Sequence, residues 1–319
     1  RSEINYACHS GNYYSAECFW SKVLHLLRRD EALRRDAWSV VELCDWIPAV
    51  LTGCPDAASV KMGHCVCGSK LMWAEEWGGY PPEEFFAGLD PVLLPILRRL
   101  PVRTYGCDTP AGTLSPEWAA KLGLSEQVVI GVGNVDCHSG AVGAGICHGT
   151  VVLNLGTSAC YMAVMPPEKM GDRMVEGIFG QVDGSILPGM VGFEAGMSAF
   201  GDVYAWFKRL LGYAGDISLP KLEAEAAAIP PGSTGVMAVD WFNGRRTPDA
   251  NQHLTGAIFG LNLGSTAPMV YRALAESTAY GARAIVERYR SEGVPVNAVA
   301  AIGGISRKSS FVMQLCADV

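Results

Sequence analysis

The stretch GVGNVDCHSGAVGAG, residues 131–145, follows the apolar run VVI and decides how the chain is interpreted. A strand followed by Gly131 and Gly133 is typical of a dinucleotide-binding turn, in which a third glycine precedes a helix that faces a pyrophosphate. The position of that third glycine holds Asp136, whose negative charge would repel phosphates. No acidic residue follows a second strand at the expected spacing of ~20 residues either. The pattern therefore argues against a dinucleotide site.

A carboxylate among glycines has a second, structural interpretation. Asp is a common helix N-cap, and Asp136 could cap a helix that begins at His138 or Ser139. The local pattern alone leaves this interpretation open beside a catalytic one.

Composition limits the classes of protein to consider. The chain has 319 residues, of which 49% are hydrophobic, enough for two domains with cores of their own. A formal net charge of −7 predicts no nucleic-acid partner and no anionic membrane partner. Eleven scattered cysteines without paired zinc-type spacing favour reduced, mostly buried thiols in a cytoplasmic protein. No apolar run approaches the ~20 residues of a membrane span.

Hydrophobic periodicity predicts a mixed α/β chain with a change of character near residue 149. Helices are expected over 15–36 and 36–53, and a buried strand over 127–133. Beyond residue 150 the sequence predicts a β-hairpin, a helix over 196–212 and a long helix over 265–293. The domains are therefore predicted as 1–149 and 150–319.

Two further turns carry residues suited to anions. Asn154-Leu155-Gly156-Thr157-Ser158 forms the hairpin tip, where amide protons and two hydroxyls converge. Gly303 and Gly304 follow an apolar strand and open a helix, whose N-terminus favours anions. Taken singly, each turn is also compatible with an ordinary connection.

Five motifs taken together resemble the FGGY family of carbohydrate kinases, and within it the members that act on L-ribulose. The motifs are GVGNVDCHSGAVGAG, LNLGTSACYM, QVDGSILPGMVGFEAGMSAFGDVYAWF, WFNGRRTPDANQHLTGAIFGLNLGSTAP and AIGGISRKSSFVMQLCADV. The resemblance implies a ribonuclease H-like (actin-like ATPase) α/β fold with two domains around a central cleft, truncated at both ends. Residues 1–149 would be the remainder of the sugar-binding N-terminal domain, and 150–319 an incomplete ATP-binding C-terminal domain.

The resemblance assigns roles around the sugar. Asp136 matches the catalytic base, which accepts the proton of the attacking hydroxyl. Lys70 and Glu194 match residues that hold the sugar, since a Lys donates to oxygen atoms and a Glu accepts from hydroxyls. A plain surface lysine and an acid at a helix N-terminus remain the alternatives for these two residues. Arg245 and Arg246 are expected to line the cleft or to lie in a solvated loop.

The resemblance also assigns the nucleotide residues. Gly156, Thr157 and Ser158 match the hairpin that wraps the ATP phosphates, and Gly303 and Gly304 match the turn that lies against the adenosine. Ser309 stands where many relatives have Asn, which puts its adenine contact in doubt. No residue of this chain is assigned as a metal ligand, because the acid that helps to hold Mg²⁺ is expected before Arg1.

The implied reaction is the ATP- and Mg²⁺-dependent phosphorylation of L-ribulose to L-ribulose 5-phosphate in L-arabinose catabolism. Xylulose, ribitol or glycerol are alternative acceptors, and a non-catalytic sugar or nucleotide sensor or a chaperone-type ATPase are alternative classes. The expected partners are a small sugar and ATP, in the cytoplasm, and a homodimer is left open. Without the pieces that relatives have at both ends, this chain itself is expected to turn over little or nothing.

Overall fold

The computed structural model describes residues 4–212 and 215–319, and these form two compact units. Unit 1 comprises Arg1–Val142, Val164–Met174 and Gly180–Gly192. Unit 2 comprises Gly143–Ala163, Val175–Phe179 and Phe193–Val319. The sequence predicted one boundary near residue 149, whereas the chain passes between these units several times.

Helices and strands are interspersed along the chain, as expected for a mixed α/β protein. The α-helices are α1 Phe19–Arg29, α2 Glu31–Asp36, α3 Leu43–Thr52, α4 His64–Lys70, α5 Glu83–Leu89, α6 Leu94–Leu97, α7 Pro116–Leu122, α8 Asp136–Gly143, α9 Pro167–Met170, α10 Gly201–Leu211, α11 Leu219–Ala227, α12 Ala267–Ser291, α13 Gly304–Lys308 and α14 Ser310–Asp318. The strands are β1 Met62–Gly63, β2 Thr104–Tyr105, β3 Pro110–Thr113, β4 Val129–Gly131, β5 Thr150–Leu155, β6 Ala159–Met165, β7 Gly180–Asp183, β8 Val191–Met197, β9 Met237–Val239, β10 Ala257–Phe259 and β11 Ala298–Ile302. Short 3₁₀ turns occupy Cys8–Ser10, Ala57–Ser59, Glu75–Trp77 and Pro91–Leu93.

The core of unit 1 is built on the apolar face of α1. Phe19, Val23 and Leu27 are buried at helical spacing, as the periodicity predicts. Trp20 packs on Phe86 with 4.4 Å between ring centroids, and its indole N–H donates to the carbonyl of Leu71. The buried indole therefore has its polar atom satisfied, which a fully enclosed Trp requires.

The strand predicted over 127–133 is present as the shorter β4, but the prediction that it is buried is wrong. The strand β4 is only three residues long and pairs antiparallel with β3 in a two-stranded sheet. Val129 is 62% exposed, because a sheet of two strands leaves much of its surface uncovered. The apolar run therefore belongs to the edge of unit 1 and not to its core.

The main sheet has the strand order β11-β5-β6-β8-β7. The strands β5 and β6 form the predicted hairpin, with Leu155 opposite Ala159, and β11 runs parallel to β5 with Ile302 beside Asn154. The strands β6 and β8 each pass from one unit into the other along the chain. The hairpin tip and the end of β11 therefore lie side by side in unit 2.

The long helix α12 covers one side of the core of unit 2. Leu274 and Ile285 are buried on it, and the predicted helix over 265–293 is confirmed. Tyr289 is also buried, packs edge-on against Phe193 and donates its hydroxyl proton to the carbonyl of Tyr161. Within the described part of the chain, no helix has the length and apolar character needed to cross a membrane.

The eleven cysteines are all free thiols, as predicted. Buried positions are Cys18, Cys65, Cys67 and Cys137, whereas Cys147 is exposed and the others are half-buried. The expectation that most of the thiols are buried is therefore wrong, since only four of the eleven cysteines are buried.

Two glycines near the end of β4 give a matched test of this packing. A Cβ atom at residue 133 would overlap the carbonyl oxygen of Cys44, whereas a Cβ at residue 131 would meet no atom within 4 Å. Neither glycine has a positive φ, so backbone strain does not separate them. We expect Gly133→Ala to lower the free energy of unfolding by ~3 kcal/mol, the upper end of overpacking costs.

Gly131→Ala should change that free energy by less than ~0.5 kcal/mol. Urea denaturation of both variants measures the difference. Equal stabilities would contradict the close contact at residue 133.

Candidate functional site

Asp136 is the first residue of α8 and is exposed, while Cys137, His138 and Ala141 of the same helix are buried. One carboxylate oxygen accepts a hydrogen bond from the amide of Cys137 at 2.7 Å. The alternative that Asp136 caps a helix beginning at His138 or Ser139 is therefore wrong, because the helix begins at Asp136 itself. The carboxylate lies at the open end of a helix whose other side faces the interior of unit 1.

The loop before Asp136 is held by main-chain contacts. Gly133 packs on the carbonyl of Cys44 at the start of α3, and Gly63 packs on the carbonyl of Gly133. These approaches leave no room for a Cβ at either glycine. The loop that ends in Asp136 is therefore fixed between α3 and the β1–α4 junction.

Asp45 stabilises this junction from inside and was missed by the sequence analysis. It is fully buried on α3, and its Oδ1 accepts a hydrogen bond from the amide of Gly63 at 2.8 Å. No other described residue bonds its Oδ2 atom. Burial raises the pKa of Asp45 to about 7, and the charge of Glu42 adds to this, whereas the Gly63 amide acts in the opposite direction. The sequence feature that could have pointed to Asp45 is an acidic residue within a mainly apolar helical segment.

Lys70 is the last residue of α4, the helix that begins directly after Gly63. Its side chain is half-buried, and its carbonyl accepts a hydrogen bond from the Tyr14 hydroxyl. No carboxylate within residues 4–212 and 215–319 forms an ion pair with its ammonium group. Lys70 is therefore neither fully exposed nor paired with an acid of the described chain.

Cys137 and His138 directly follow Asp136 in the sequence. The Nδ1 atom of His138 lies 2.9 Å from the Cys65 thiol and 3.1 Å from the carbonyl of Ser185. Both residues are buried beneath the first turn of α8. His138 therefore connects α8 to α4 through Cys65, and neither buried residue belongs to an exposed catalytic set.

Glu194 lies in unit 2, in the middle of β8, and is half-buried. The alternative of an acid at a helix N-terminus is wrong, because the residue is in a strand. Its carbonyl accepts a hydrogen bond from the amide of Phe179. Arg246 places its guanidinium over the ring of that Phe179, at 5.2 Å. Arg245 stacks on Trp241 and donates to the carbonyl of Asp249, so neither arginine is simply solvated.

The hairpin tip Gly156-Thr157-Ser158 is held against the start of α10. The amides of Phe200 and Asp202 donate to the Thr157 carbonyl, at 2.8 and 3.1 Å. A Cβ at Gly201 would lie 2.6 Å from the carbonyl oxygen of Gly156. The bend is therefore fixed by main-chain contacts, and Thr157 is left exposed at its tip.

A cavity of about 660 Å³ adjoins this bend within unit 2. Its wall includes the predicted nucleotide residues Gly156, Thr157, Gly304 and Ser309. Other polar and aromatic members of the wall were not predicted from the sequence, and they include Asp202, Glu223, Tyr271, Lys308 and Phe311. A cavity of this size, with few polar groups in a mainly apolar lining, is typical of small-molecule sites.

Gly303 and Gly304 contribute differently to the turn between β11 and α13. Gly303 has φ +95°, and a Cβ there would lie 2.5 Å from the carbonyl oxygen of Leu155, so the turn requires glycine. Gly304 begins α13, is exposed and has open space where a Cβ would be. The first glycine therefore closes the turn, and the second leaves the helix start uncovered beside the cavity.

Ser309 is buried and caps α14. Its hydroxyl donates to Glu223 Oε1 at 2.8 Å and accepts from the amide of Val312 at 3.1 Å. Glu223 also accepts from the Tyr271 hydroxyl, at 3.4 Å. The serine therefore contributes to a hydrogen-bonded wall of the cavity.

The chain resembles sugar kinases in sequence. The C-terminal domain of the FGGY family of carbohydrate kinases matches residues 151–319. The ribulokinase of Vibrio parahaemolyticus is 44% identical, over 99% of this chain and 59% of its own length. The ribulokinase of Shouchella clausii is 38% identical, over 97% of this chain and 55% of its own length. The chain thus spans little more than half the length of these relatives.

Solved structures show the same fold at low sequence identity. The xylulose kinase of Rhodospirillum rubrum matches with a TM-score of 0.77 at 21% identity, over 98% of this chain and 60% of that one. The glycerol kinase of Plasmodium falciparum with ADP matches with a TM-score of 0.73 at 16% identity, over 98% of this chain and 60% of the glycerol kinase chain. The predicted ribonuclease H-like (actin-like ATPase) fold class is confirmed.

The buried carboxyl of Asp45 predicts a pH dependence of stability. Its pKa is about 7 in the folded chain and 3.8 in the reference state, so the unfolded chain loses this proton first as the pH rises. The contribution of Asp45 to the free energy of unfolding is fully present below pH ~4. It is lost as the pH rises to ~7, and the loss is on the order of 4 kcal/mol. In Asp45→Asn this loss should disappear.

Urea denaturation between pH 4 and 7 measures the effect as the difference between variant and parent. As the pH rises from 4 to 7, the free energy of unfolding of Asp45→Asn should increase relative to that of the parent. The exposed control Asp172→Asn should keep a constant difference from the parent over the same range. Parallel curves for both variants would contradict the raised pKa of Asp45.

Proposed function

Because the chain belongs to the FGGY family of carbohydrate kinases, we propose that the whole protein transfers the γ-phosphoryl group of ATP to the terminal hydroxyl of L-ribulose. The product is L-ribulose 5-phosphate, as expected for an enzyme of arabinose breakdown in the cytoplasm. The observation that carries this proposal is the exposed carboxylate of Asp136 at the start of α8, on a loop fixed by Gly133. The ribulokinase relatives support L-ribulose as the acceptor.

In the proposed reaction Asp136 is the general base. Its carboxylate accepts the proton of the attacking hydroxyl while that oxygen forms a bond to the γ-phosphorus and the bond to the ADP oxygen breaks. Phosphoryl transfer depends mostly on alignment and on charge neutralisation. An acid at a rigid helix start supplies alignment, because its main chain cannot shift without breaking the contacts of Gly133.

Lys70 and Glu194 are proposed to hold the sugar. The half-buried Lys70 has an ammonium group available to donate to a carbonyl or hydroxyl oxygen, and a carboxylate such as Glu194 accepts from hydroxyls. Lys70 is the last residue of α4, and α4 begins at the β1–α4 junction that fixes the Asp136 loop. A change at that junction would therefore affect both residues.

The cavity of unit 2 is proposed to bind ATP. The exposed Thr157 at the bend would offer its hydroxyl to the phosphates, with the half-buried Ser158 beside it, and the uncovered helix start at Gly304 would lie along the adenosine. Oxygen donors at this end of the cavity, the Thr157 hydroxyl and the Asp202 carboxylate, fit a Mg²⁺ ion that keeps most of its water. That ion would neutralise charge on the phosphates.

Two alternatives make different predictions for the same protein. Xylulose, ribitol or glycerol as acceptor would leave the roles of Asp136 and the cavity unchanged. The xylulose and glycerol kinases among the structural neighbours are compatible with this alternative. A sugar or nucleotide sensor would bind ligands without releasing ADP, and a chaperone-type ATPase would release ADP without a sugar. An exposed carboxylate on a fixed loop favours catalysis over sensing. Assaying ADP release with a panel of pentoses and polyols distinguishes these classes.

Asp136→Asn tests the proposed base. The amide keeps the size of the side chain but cannot take up the proton, so in the whole protein kcat should fall ~10²–10⁴-fold with little change in KM. The coupled assay of ADP release with L-ribulose measures both constants. Asp172→Asn, an exposed acid elsewhere in unit 1, serves as the control and should retain the parent kcat. Undiminished turnover by Asp136→Asn would remove Asp136 from this role.

Gly304→Leu tests the nucleotide cavity without disturbing the fold. Open space surrounds the position of the new Cβ, and residue 304 lines the cavity, so the leucine should occupy the volume needed by adenosine. We expect ADP to bind at least ~10-fold more weakly, as measured by calorimetry on the chain itself. Gly88→Leu, on the exposed side of α5 with equal free space, is the matched control. If both variants bind ADP like the parent, the nucleotide site lies elsewhere.

A further inference from the structure

Two short turns of unit 1 meet at a point that the proposed reaction does not use. The 3₁₀ turn Cys8–Ser10 ends at Gly11 with φ 66°, and the 3₁₀ turn Glu75–Trp77 ends at Gly78 with φ 74°. The two turns contact each other through His9 Nε2 and Glu76 Oε1, which lie 3.1 Å apart although 67 positions separate them along the chain. Each turn is closed by a left-handed glycine, so the side chains start from fixed backbone positions.

Three different metal-ligating atoms converge there. A ligand atom from each of Cys8, His9 and Glu76 lies within 4.8 Å of the other two. The ligands of one tetrahedral zinc ion lie roughly 3–4 Å apart, given Zn–S and Zn–N distances of about 2.3 and 2.0 Å. The cluster therefore needs only side-chain adjustments to close around an ion. A thiolate, an imidazole and a carboxylate form a ligand set that suits zinc better than Mg²⁺ or Ca²⁺.

The imidazole is oriented from outside the cluster. Its Nδ1 atom lies 2.8 Å from the carbonyl oxygen of Gln181, a residue of β7 that is buried. With an ion bound, Nδ1 would donate its proton to that carbonyl, and the lone pair of Nε2 would be available to the ion. This arrangement, with one ring nitrogen held by a carbonyl and the other facing the ion, is the usual support of metal-binding histidines. The ring of Trp77, 5.1 Å from the imidazole, supports it from the side.

The surroundings are acidic. A small cavity of about 70 Å³ beside His9 is lined by the carboxylates of Glu75, Glu76 and Asp183. Their summed negative charge raises the local concentration of cations and favours a bound divalent ion over an empty site. His64, on the same cavity, is the other imidazole nearby.

We propose that Cys8, His9 and Glu76 bind one zinc ion, with water in the fourth position. The ion would join the turn at residue 8 to the turn at residue 76 and so stabilise unit 1. The site is structural and independent of the phosphoryl transfer proposed above, because none of its ligands belongs to the proposed sugar or nucleotide site. In the absence of a metal, the same atoms would form only an imidazole–carboxylate ion pair.

Cobalt substitution tests the site with a spectroscopic signal. After treatment with a chelator, the chain should bind one equivalent of Co²⁺ with visible bands of a tetrahedral ion and a thiolate-to-cobalt charge-transfer band in the near ultraviolet. Zn²⁺ should displace the Co²⁺ and abolish these bands. Cys8→Ser should remove the charge-transfer band, and His9→Ala and Glu76→Gln should each weaken Zn²⁺ binding by more than ~100-fold, since loss of an outer partner alone costs 10–100-fold.

Controls use a thiol and an imidazole outside the cluster. Cys147→Ser and His25→Ala, both at exposed positions, should bind Zn²⁺ like the parent. Circular dichroism of each variant establishes that it is folded. As an independent measurement in the parent chain, Zn²⁺ should protect Cys8 from alkylation, mapped by mass spectrometry, and should raise Tm by roughly 5 °C at a concentration 100-fold above Kd.

Three results would overturn the proposal. The first is metal binding without the charge-transfer band. The second is equal Zn²⁺ affinity in the parent and the cluster variants. The third is unprotected Cys8 at saturating Zn²⁺, which would leave only the ion pair between His9 and Glu76.

Discussion

The loop that ends in Asp136 depends on main-chain contacts that only glycine permits. Gly133 fits against the carbonyl of Cys44, and Gly63 fits against the carbonyl of Gly133, with no space for a side chain at either place. The buried carboxyl of Asp45 bonds the amide of Gly63 at the same point. These contacts fix the loop before α8 to the starts of α3 and α4. The position of the exposed Asp136 is determined by that loop.

The same kind of contact organises unit 2. Gly201 fits against the carbonyl of Gly156, and Gly303 fits against the carbonyl of Leu155, so the hairpin tip, the start of α10 and the start of α13 form one rigid corner. Their arrangement leaves a cavity beside exposed Thr157 and Gly304. In both units, therefore, glycines shape the proposed sites mainly through close packing of the backbone. Where φ is positive, as at Gly303, conformational freedom is required in addition.

Much of this could be predicted from the sequence because it is local. The hairpin around Gly156, the helix α12 and the strand-turn-helix at Gly303 follow from periodicity and turn residues over short segments. Asp136 attracted notice because it breaks a glycine pattern, and the motifs that resemble the FGGY family then gave it a role. What could not be predicted depends on contacts between distant segments. Neither the burial of Asp45 nor the cavity wall at Glu223 follows from its neighbours in sequence, and the apolar run before Gly131 gave no sign that its sheet has only two strands.

A crystal structure of the whole protein with L-ribulose and a non-hydrolysable ATP analogue would show whether Asp136 is placed to act as the base. The quantity to measure is the distance from the Asp136 carboxylate to the terminal hydroxyl oxygen of the sugar. If Asp136 is the base, that distance lies within hydrogen-bond range, about 2.6–3.2 Å, and the hydroxyl faces the γ-phosphate. A sugar bound with all its hydroxyls beyond reach of Asp136 would contradict the account.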